Sequence, residues 1–382
     1  MLSFPLALIS MSLPACGGGD TNPQSTSGAG GAGGSSATST ASSASSGSSS
    51  TSSADSSSSA SSTSSSQAST GSGQGPVKPP IEDAPMGFAS LNGGTTGGKG
   101  GMVVTVSDPE AFKEAIVGNT PTIVQVQGTI NLSGMNDVGS NKTIIGLGTD
   151  AKIVGGGLYL YEEKNVIIRN ISFQDADEDA IGITEKTTNV WIDHNTFSNA
   201  ADGLLDIVRQ SSFVTVSWNV FTNHHKTILI GHSDAASADA GHLKVTIHHN
   251  WFDATLTRHP SVRYGTVHAL NNFYNSNLSY GVASRMEADV VVEGNYFLNT
   301  WFPCVTQYAE SDPGDIVEFN NIIETTMPPP MSPDPNDPPP PEVPVCATRG
   351  TAFDPAAQYP YTADKAEDVQ ALVTNYAGAG KM

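Results

Sequence analysis

The chain has 382 residues and carries 17 Lys and Arg against 37 Asp and Glu, a formal net charge of −20 at pH 7. This acidity excludes a nucleic-acid-binding protein as the first interpretation, because phosphate recognition depends on clustered Lys and Arg. An acidic polymer can still bind where cations are concentrated locally. Three Cys residues are too few for a disulfide-rich scaffold.

The first 16 residues indicate export. Residues 2–13 form an apolar run too short to span a bilayer, and the run ends in Leu-Pro-Ala-Cys followed by three Gly. This pattern resembles a bacterial lipoprotein signal with Cys16 as the lipidated residue, although no Lys or Arg precedes Lys78. The alternative is a buried N-terminal strand. We therefore predict a signal at 1–16 and a cell-surface lipoprotein or extracellular protein, with membrane contact only through a lipid on Cys16.

Composition divides the remainder into a tether and one folded domain. Residues 17–77 are almost wholly small and polar up to residue 75, so we predict a disordered Ser/Gly-rich tether. Residues 78–382 are long enough for one large all-β domain, which contains a Pro-rich surface loop at 327–345. Cys304 and Cys346 flank this loop, and either a disulfide or two buried thiols fits them in an oxidising compartment.

An internal repeat predicts the fold. Seven β-rich runs each contain an Asn before apolar or aromatic residues, at Asn170, Asn195, Asn219, Asn250, Asn272, Asn295 and Asn321. A recurring unit of about 25 residues without a helical pattern is typical of a parallel β-helix. A β-sandwich with Asn at unrelated turns is the alternative. Short capping helices are predicted to begin near Asp108-Pro109 and within 364–376.

The Asn spacing also predicts a column of charged side chains. Asp177, Asp202 and Lys226 each stand seven residues after a repeat Asn, and Arg258 stands eight after Asn250. If the turns are of similar length, the four project from equivalent places on adjacent coils about 4.8 Å apart.

Further charges lie beside this column: Asp179 and Asp206 add carboxylates, and Arg263 adds a cation. Clustered carboxylates without a nearby Lys indicate Ca²⁺, which prefers oxygen ligands. Asp202 and Asp206 can reach one ion only if the chain bends between them, and we predict that bend at Gly203. A solvated acidic surface is the alternative, and zinc held by the histidines is disfavoured.

Several runs resemble family 1 polysaccharide lyases, the pectate lyases: VWIDHNTFS, DGLLDI, FVTVSWNVFTNHHKTILIGHSD, VTIHHNWFD and TRHPSVRYGTVHALNNFY. The resemblance covers about residue 86 to the C-terminus. It implies a right-handed, single-stranded parallel β-helix with short capping helices. It further implies Ca²⁺ held by Asp177, Asp179, Asp202 and Asp206, with Arg258 as catalytic base and Lys226 and Arg263 binding substrate.

The implied reaction is calcium-dependent β-elimination of α-1,4-linked polygalacturonate, giving 4,5-unsaturated oligogalacturonides. Residue chemistry alone favours Lys226 as the base, because guanidinium groups are ordinarily protonated near neutral pH; the resemblance is what assigns the role to Arg258. An arginine base predicts an alkaline activity optimum. The partner is therefore pectin or polygalacturonate, with no nucleic acid, and the protein is expected to be a monomer.

Three other functions fit parts of the sequence. A polygalacturonase-like hydrolase would use paired acids and release reducing ends without a double bond, but no Gly-His-Gly occurs. A pectin lyase acting without Ca²⁺ should lack the acidic cluster. A non-enzymatic, surface-tethered polysaccharide-binding β-helix fits the tether but leaves the charged column unexplained.

Overall fold

The computed structural model describes residues 79, 81–327, 341 and 343–382. The predicted signal at 1–16, the tether at 17–77 and most of the Pro-rich loop at 327–345 lie outside the described residues. In the part of the chain that is described, no helix has both the length and the apolar character needed to span a bilayer.

The described residues form a right-handed parallel β-helix, as predicted. The strands in chain order are β1 (Met102–Val106), β2 (Thr122–Val126), β3 (Thr129–Asn131), β4 (Met135–Asp137), β5 (Lys142–Gly146), β6 (Lys152–Val154), β7 (Gly157–Tyr161), β8 (Lys164–Arg169), β9 (Ser172–Ala176), β10 (Ile181–Thr184), β11 (Thr188–Asp193), β12 (Thr196–Ala200), β13 (Leu205–Ile207), β14 (Ser212–Ser217), β15 (Val220–Thr222), β16 (Ile228–Ile230), β17 (Lys244–His248), β18 (Trp251–Asp253), β19 (Ser261–Arg263), β20 (Thr266–Leu270), β21 (Phe273–Asn275), β22 (Tyr280–Arg285), β23 (Asp289–Glu293), β24 (Tyr296–Leu298), β25 (Phe302–Val305), β26 (Asp315–Phe319) and β27 (Ile322–Glu324).

These strands make three long sheets that run along the solenoid. Sheet 1 has the order β1-β2-β5-β8-β11-β14-β17-β20-β23-β26, sheet 2 the order β4-β7-β10-β13-β16-β19-β22-β25, and sheet 3 the order β3-β6-β9-β12-β15-β18-β21-β24-β27. Each of the eight complete coils between β2 and β25 contributes one strand to each sheet, and the bends between sheets 3 and 2 and the strands of sheet 2 carry the side chains discussed below. The core lies inside the coils and is lined by Val, Ile, Leu and Phe.

The Asn repeat forms a hydrogen-bonded ladder inside the coils. Asn195 Nδ2 donates to Asn219 Oδ1 at 3.1 Å, and the same bond recurs from coil to coil as far as Asn321. These amides satisfy one another and nearby backbone groups, so burying them carries no unpaired polar atom.

Asn170 is the exception to this ladder. The register pairs Asp193 with Arg169, which places Asn195 beside Ile171 rather than beside Asn170. Asn195 Oδ1 accepts a hydrogen bond from the Ile171 amide, and Asn170 instead contacts the carbonyl oxygens of Gly146 and Gly148. The interpretation of Asn170 as a ladder residue is wrong by one position.

A stack of aromatic rings marks the true repeat. Successive ring centroids lie 4.3–5.2 Å apart along Phe173, Phe197, Phe221, Phe252, Tyr274 and Phe297. From Phe197 onward, each ring stands two residues after a ladder Asn, whereas Phe173 stands three after Asn170. The position of Phe173 in the stack therefore indicates the correct register of its coil, whereas counting from Asn170 gives a register that is wrong by one residue.

Two α-helices cover parts of the solenoid. α1 (Pro109–Ile116) begins after Asp108, whose side chain accepts a hydrogen bond from the Ala111 amide at 2.9 Å, and buries Phe112 and Ile116 in the N-terminal coils. α2 (Ala366–Tyr376) packs Val369 and Val373 on the outer flank of sheet 3 near its C-terminal end. Both helices lie where the sequence predicted them.

Cys304 and Cys346 form a disulfide, with Cα atoms 4.7 Å apart. Cys346 is buried and packs with the main core. The alternative of two buried thiols is therefore wrong.

Candidate active site

The predicted site residues come together where four successive coils pass from sheet 3 to sheet 2. Each of them stands on or between strands of those sheets, so the solenoid brings them side by side along its axis. They are Asp177 and Asp179 between β9 and β10, Asp202 between β12 and β13, Asp206 on β13, Lys226 between β15 and β16, Arg258 between β18 and β19, and Arg263 on β19.

The register corrects the predicted column at both ends, since Lys226 forms a parallel bridge with Thr257, one position before Arg258. Ala200 pairs with Ala176, so continuing the pairing places Glu178, not Asp177, beside Asp202. The Asp177 carboxylate instead accepts hydrogen bonds of 2.9–3.0 Å from the Gly134 amide, which lies between β3 and β4, two coils earlier. The prediction for Asp177 is wrong for the same reason as the prediction for Asn170. Asp177 is counted from Asn170, which stands one residue before the ladder position.

Two half-buried carboxylates of the site, Asp179 and Asp206, converge on Gly203. The Gly203 amide donates a 2.7 Å hydrogen bond to Asp179 Oδ1. A Cβ atom placed on Gly203 would lie 2.5 Å from Asp206 Oδ1 and 3.0 Å from Asp179 Oδ1, so only glycine fits between them. The chain turns here between β12 and β13, as predicted for this glycine.

The electrostatics of this cluster favour an added cation. Burial and the neighbouring Asp179 raise the pKa of Asp206 to about 8. Burial and the charge of Asp202 also raise the pKa of Asp179, although the Gly203 amide opposes the shift. Asp206 Oδ1 is buried and has no hydrogen-bond partner in the described part of the chain. A positive ion would relieve both the repulsion and the missing contact.

Asp202 behaves differently because it already has a cationic partner. Lys226 Nζ donates a 2.6 Å hydrogen bond to Asp202 Oδ1. Burial acts to raise the pKa of Asp202, but the Lys226 hydrogen bond and the charges of Lys226 and Arg258 together lower it below its ordinary value. Asp202 is therefore ionised at neutral pH.

The donor set fits a hard cation, although the ligands are not gathered as they stand. Within the residues described, no group of three or more His, Cys, Asp or Glu side chains is close enough together to hold a metal ion. The four predicted ligands supply only carboxylate oxygens, the donor type that Ca²⁺ prefers. Together with the unpartnered Asp206 oxygen, this composition agrees with the predicted ion.

A cationic cleft of about 300 Å³ adjoins the carboxylates. Lys226, Arg258, Arg263 and Arg285 all line it. The Arg258 guanidinium makes no hydrogen bond or ion pair with any described residue, whereas its backbone carbonyl accepts from the Ile228 amide at 2.7 Å. Arg258 therefore has a fixed backbone and a side chain free to engage a ligand. The following peptide, His259–Pro260, is cis.

Arg263 and Arg285 occupy paired positions on β19 and β22. Arg263 Nε donates to Asp234, which also accepts from Ser311 at 2.6 Å. Arg285 is buried, donates to Ser261 at 2.5 Å, and its Nε has no partner in the described part of the chain. Burial and the neighbouring Arg263 lower the pKa of Arg285, although Tyr280 and Asp234 oppose this.

Sequence reasoning missed Arg285, along with the cleft residues Tyr280, Tyr308 and His225. A signal for Arg285 was present: it stands thirteen residues after Asn272, as Arg263 stands thirteen after Asn250.

Comparison with known proteins agrees with this fold. Residues 77–382 match the family model described as pectate lyase. The chain is 33% identical over 330 residues to a pectate trisaccharide-lyase from Bacillus licheniformis, covering 81% of this chain and 90% of that protein. It is 36% identical over 354 residues to a pectate trisaccharide-lyase from Thermotoga maritima, covering 81% and 92%.

Solved structures agree as well. The pectate lyase from Bacillus sp. N165, solved in complex with trigalacturonate, is 31% identical and superposes with a TM-score of 0.67 over 78% of this chain and 99% of that one. Pectate lyase II from Xanthomonas campestris is 27% identical, with a TM-score of 0.64 over 78% and 98%. The match to the family model spans most of this chain, and the chain therefore belongs to the pectate lyase family and is a polysaccharide lyase.

Proposed function

We propose that the protein cleaves polygalacturonate by calcium-dependent β-elimination, giving 4,5-unsaturated oligogalacturonides, with Arg258 as the base. The observation that carries the proposal is the unpaired Arg258 guanidinium, which lines the cationic cleft and whose charge also acts on Asp179, Asp202 and Asp206. A relative from Bacillus sp. N165 has been solved with trigalacturonate, a short piece of the same polymer.

The other cationic side chains of the cleft bind the substrate. Polygalacturonate is a polyanion, and Lys226, Arg263 and Arg285 offer ammonium and guanidinium groups to its carboxylates in an otherwise acidic protein. Arg263 is held in place by Asp234, so its orientation is fixed before substrate arrives. A fixed guanidinium loses less entropy on binding a carboxylate than a mobile one.

The reaction removes the proton from C5, which lies next to the uronate carboxylate. Arg258 in its neutral form takes this proton; the C5–H electrons form the C4–C5 double bond, the C4–O bond breaks, and the departing oxygen is protonated by solvent. Lys226 stabilises the negative charge that develops on the carboxylate. Because an arginine has to lose its own proton first, activity should rise toward alkaline pH.

Asp177, Asp179, Asp202 and Asp206 are the residues that would hold Ca²⁺. When bound there, the ion supplies positive charge to the substrate carboxylate next to the acidic carbon. The raised pKa of Asp206 and its unpartnered oxygen support this choice of ligands.

The deciding experiment mixes the purified protein with polygalacturonate and follows the ultraviolet absorbance of the unsaturated uronate. We expect a rise with added Ca²⁺ that excess chelator abolishes. New reducing ends without absorbance would mean hydrolysis instead, and a rise that survives the chelator would exclude the calcium requirement.

Arg258→Lys tests the base, because it keeps the positive charge but changes the geometry and basicity. We expect kcat to fall about 10²- to 10⁴-fold while the polymer still binds. The matched control is Arg349→Lys, an arginine paired with Asp315 outside the cleft, which should behave as wild type. An Arg258→Lys variant with normal kcat would assign the proton transfer to another residue.

We also propose export and attachment through Cys16, with the folded domain acting as a monomer. The Leu-Pro-Ala-Cys run and the Ser/Gly tract support this proposal. Cys16→Ala should move the protein from the membrane fraction to the medium, and light scattering should give the mass of one chain. Unchanged fractionation would contradict lipid attachment.

A further inference from the structure

The outward face of sheet 2 continues from the carboxylate cluster toward the N-terminal coils. Asp206 on β13 pairs with Gly182 on β10, and Gly182 pairs with Tyr159 on β7. Tyr159 in turn pairs with Asp137 on β4. Since parallel strands lie about 4.8 Å apart, Tyr159 stands about 10 Å from Asp206 along the same outward row.

Two tyrosine rings form a platform here: Tyr159 stands on this row, and Tyr161 stands two residues further along β7, where it pairs with Thr184. Tyr159 is half-buried and Tyr161 is 48% exposed, and their ring centroids lie 6.2 Å apart. A Cβ atom placed on Gly182 would lie 3.1 Å from Tyr159 Cδ2, so the ring leans over Gly182 in the direction of Asp206. Gly182 has no side chain to stand between the Tyr159 ring and the carboxylate cluster.

The cavity at this platform has the opposite charge to the cationic cleft. It has a volume of about 390 Å³, and its charged lining residues are Asp137 and Glu163; no Lys or Arg is among the described residues that line it. Nearby Lys142 is buried, and its ammonium donates to three backbone carbonyls. A uronate carboxylate placed here would meet the like charges of Asp137 and Glu163, and the nearby Lys142 interacts with Glu163 from a buried position.

We propose that Tyr159 and Tyr161 bind methyl-esterified galacturonate residues of the same pectin chain whose free uronates lie in the cationic cleft. This inference rests on the proposed function, because it concerns an extension of that substrate. A methyl ester carries no charge and so escapes repulsion by Asp137 and Glu163. The C–H face of its sugar ring can pack on the tyrosine rings, which removes apolar surface from water.

The position of the platform and the charge of its lining indicate that an esterified stretch of the polymer binds there. The platform shares a sheet face and a register row with Asp206, so one extended polymer can cover both sites. Within the described lining residues, Lys and Arg lie only at the cleft end of this path, beside Tyr280 and Tyr308, whereas the platform end combines tyrosine rings with carboxylates. A chain with an esterified stretch beside a free stretch matches this order.

The test compares unesterified polygalacturonate with partly methyl-esterified pectin, using the full chain. We expect Tyr159→Ala to lower kcat/KM on the esterified polymer about tenfold and to change it less than twofold on polygalacturonate. Tyr159→Phe keeps the ring and should match wild type. Asp137→Asn removes a repelling charge and should raise kcat/KM on polygalacturonate a few-fold. Equal losses on both polymers, or no loss on either, would overturn the proposal.

Binding separates this proposal from the proposed function. Slower migration of the protein in gels that contain one of the two polymers measures binding to that polymer, whether or not the protein cleaves it. Weaker retention of Tyr159→Ala in esterified pectin alone supports the platform, whether or not an unsaturated product forms. Equal retention of wild type and Tyr159→Ala in both gels would overturn it, and a failure to form unsaturated product would count only against the elimination reaction.

Discussion

Asp202 and Lys226 occupy neighbouring coils 24 residues apart, and Lys226 Nζ donates a 2.6 Å hydrogen bond to Asp202 Oδ1. One proposed calcium ligand is thus already engaged by one proposed substrate-binding cation. A divalent ion that uses Asp202 has to compete with Lys226 for the carboxylate. The Lys226 side chain is 33% exposed and that of Asp202 is 61% exposed, so the pair is weak enough to be displaced.

Lys226→Met should therefore separate calcium binding from catalysis. We expect the affinity for Ca²⁺ to rise up to about fivefold, which corresponds to an exposed ion pair worth less than about 1 kcal/mol. We expect kcat/KM on polygalacturonate to fall at least about tenfold, because a charge on the substrate carboxylate is lost. Calorimetric titration with Ca²⁺ and initial rates measure the two effects.

Lys164→Met is the matched control, since Lys164 is exposed and stands on β8 away from the cleft. It should leave both quantities unchanged. Weaker calcium binding by Lys226→Met would show that Lys226 supports the ion site instead of competing with it.

Gly203→Ala should damage the carboxylate cluster more than the fold. The new methyl group would lie 2.5 Å from Asp206 Oδ1 and 3.0 Å from Asp179 Oδ1, so these two half-buried carboxylates would have to move apart. We expect the calcium concentration for half-maximal activity to rise at least about tenfold, with a melting temperature within a few degrees of wild type. Ala201→Gly on the same turn is the control for backbone flexibility, and an unchanged calcium requirement in Gly203→Ala would refute this account.

Removing the Cys304–Cys346 disulfide should lower stability. The bond joins residues 42 apart in sequence, and closing a loop of that length in the unfolded chain corresponds to about 4 kcal/mol in the chain-entropy model. We expect the double Cys→Ser variant to unfold at lower denaturant concentration than wild type. Reductant should shift wild type to the position of the variant and leave the variant unmoved. A wild type insensitive to reductant would contradict the prediction.

The sequence predicted the solenoid because the internal amides must stack once per coil, which leaves a periodic trace in the chain. It misplaced Asp177 because Asn170 resembles a ladder residue, although it lies one position too early. The signal that resolves the ambiguity is the distance to the aromatic stack, since Phe197 follows Asn195 by two residues and Phe173 follows Asn170 by three. A one-residue shift in register disrupts the stacked rings more than it disrupts an amide in a turn.

The site was predicted in part for a related reason. Lys226 and Arg258 lie on turns whose lengths are nearly constant, so counting from the ladder finds them. No comparable spacing from a ladder Asn indicates the aromatic platform of Tyr159 and Tyr161. Tyr159 follows no ladder Asn, and its position relative to Asp206 depends on the pairing of β7, β10 and β13. The strand pairing between coils cannot be derived by counting residues from a single repeat position.

His259, next to the proposed base, should make stability depend on pH. It is fully buried, with Nδ1 2.6 Å from the Tyr280 carbonyl oxygen and Nε2 2.7 Å from Thr255 Oγ1. A carbonyl oxygen only accepts, so Nδ1–H donates to it; in the neutral imidazole Nε2 then accepts from the Thr255 hydroxyl. Burial lowers the pKa of His259 to about 4, although the backbone hydrogen bonds oppose this shift.

An unfolded chain binds a proton at His259 near pH 6.5, whereas the folded chain does so only near pH 4. The neutral, buried imidazole thus contributes stability that is present above pH 6.5 and is lost as the pH falls toward 4. The full shift corresponds to about 3 kcal/mol. His259→Gln does not titrate, so the gap in melting temperature between wild type and this variant should shrink from pH 7.5 to pH 4.5.

His242→Gln is the control, because His242 is exposed and its replacement should leave the melting temperature close to that of wild type at both pH values. If the gap between wild type and His259→Gln stays constant from pH 7.5 to pH 4.5, His259 does not titrate differently in the folded and unfolded chains. Any acid sensitivity of the protein would then come from other groups, such as buried His248 and His268, whose pKa values burial also lowers, or from carboxylates. If the gap closes, the histidine that follows Arg258 favours activity at neutral or alkaline pH by keeping the coil that carries Arg258 folded there.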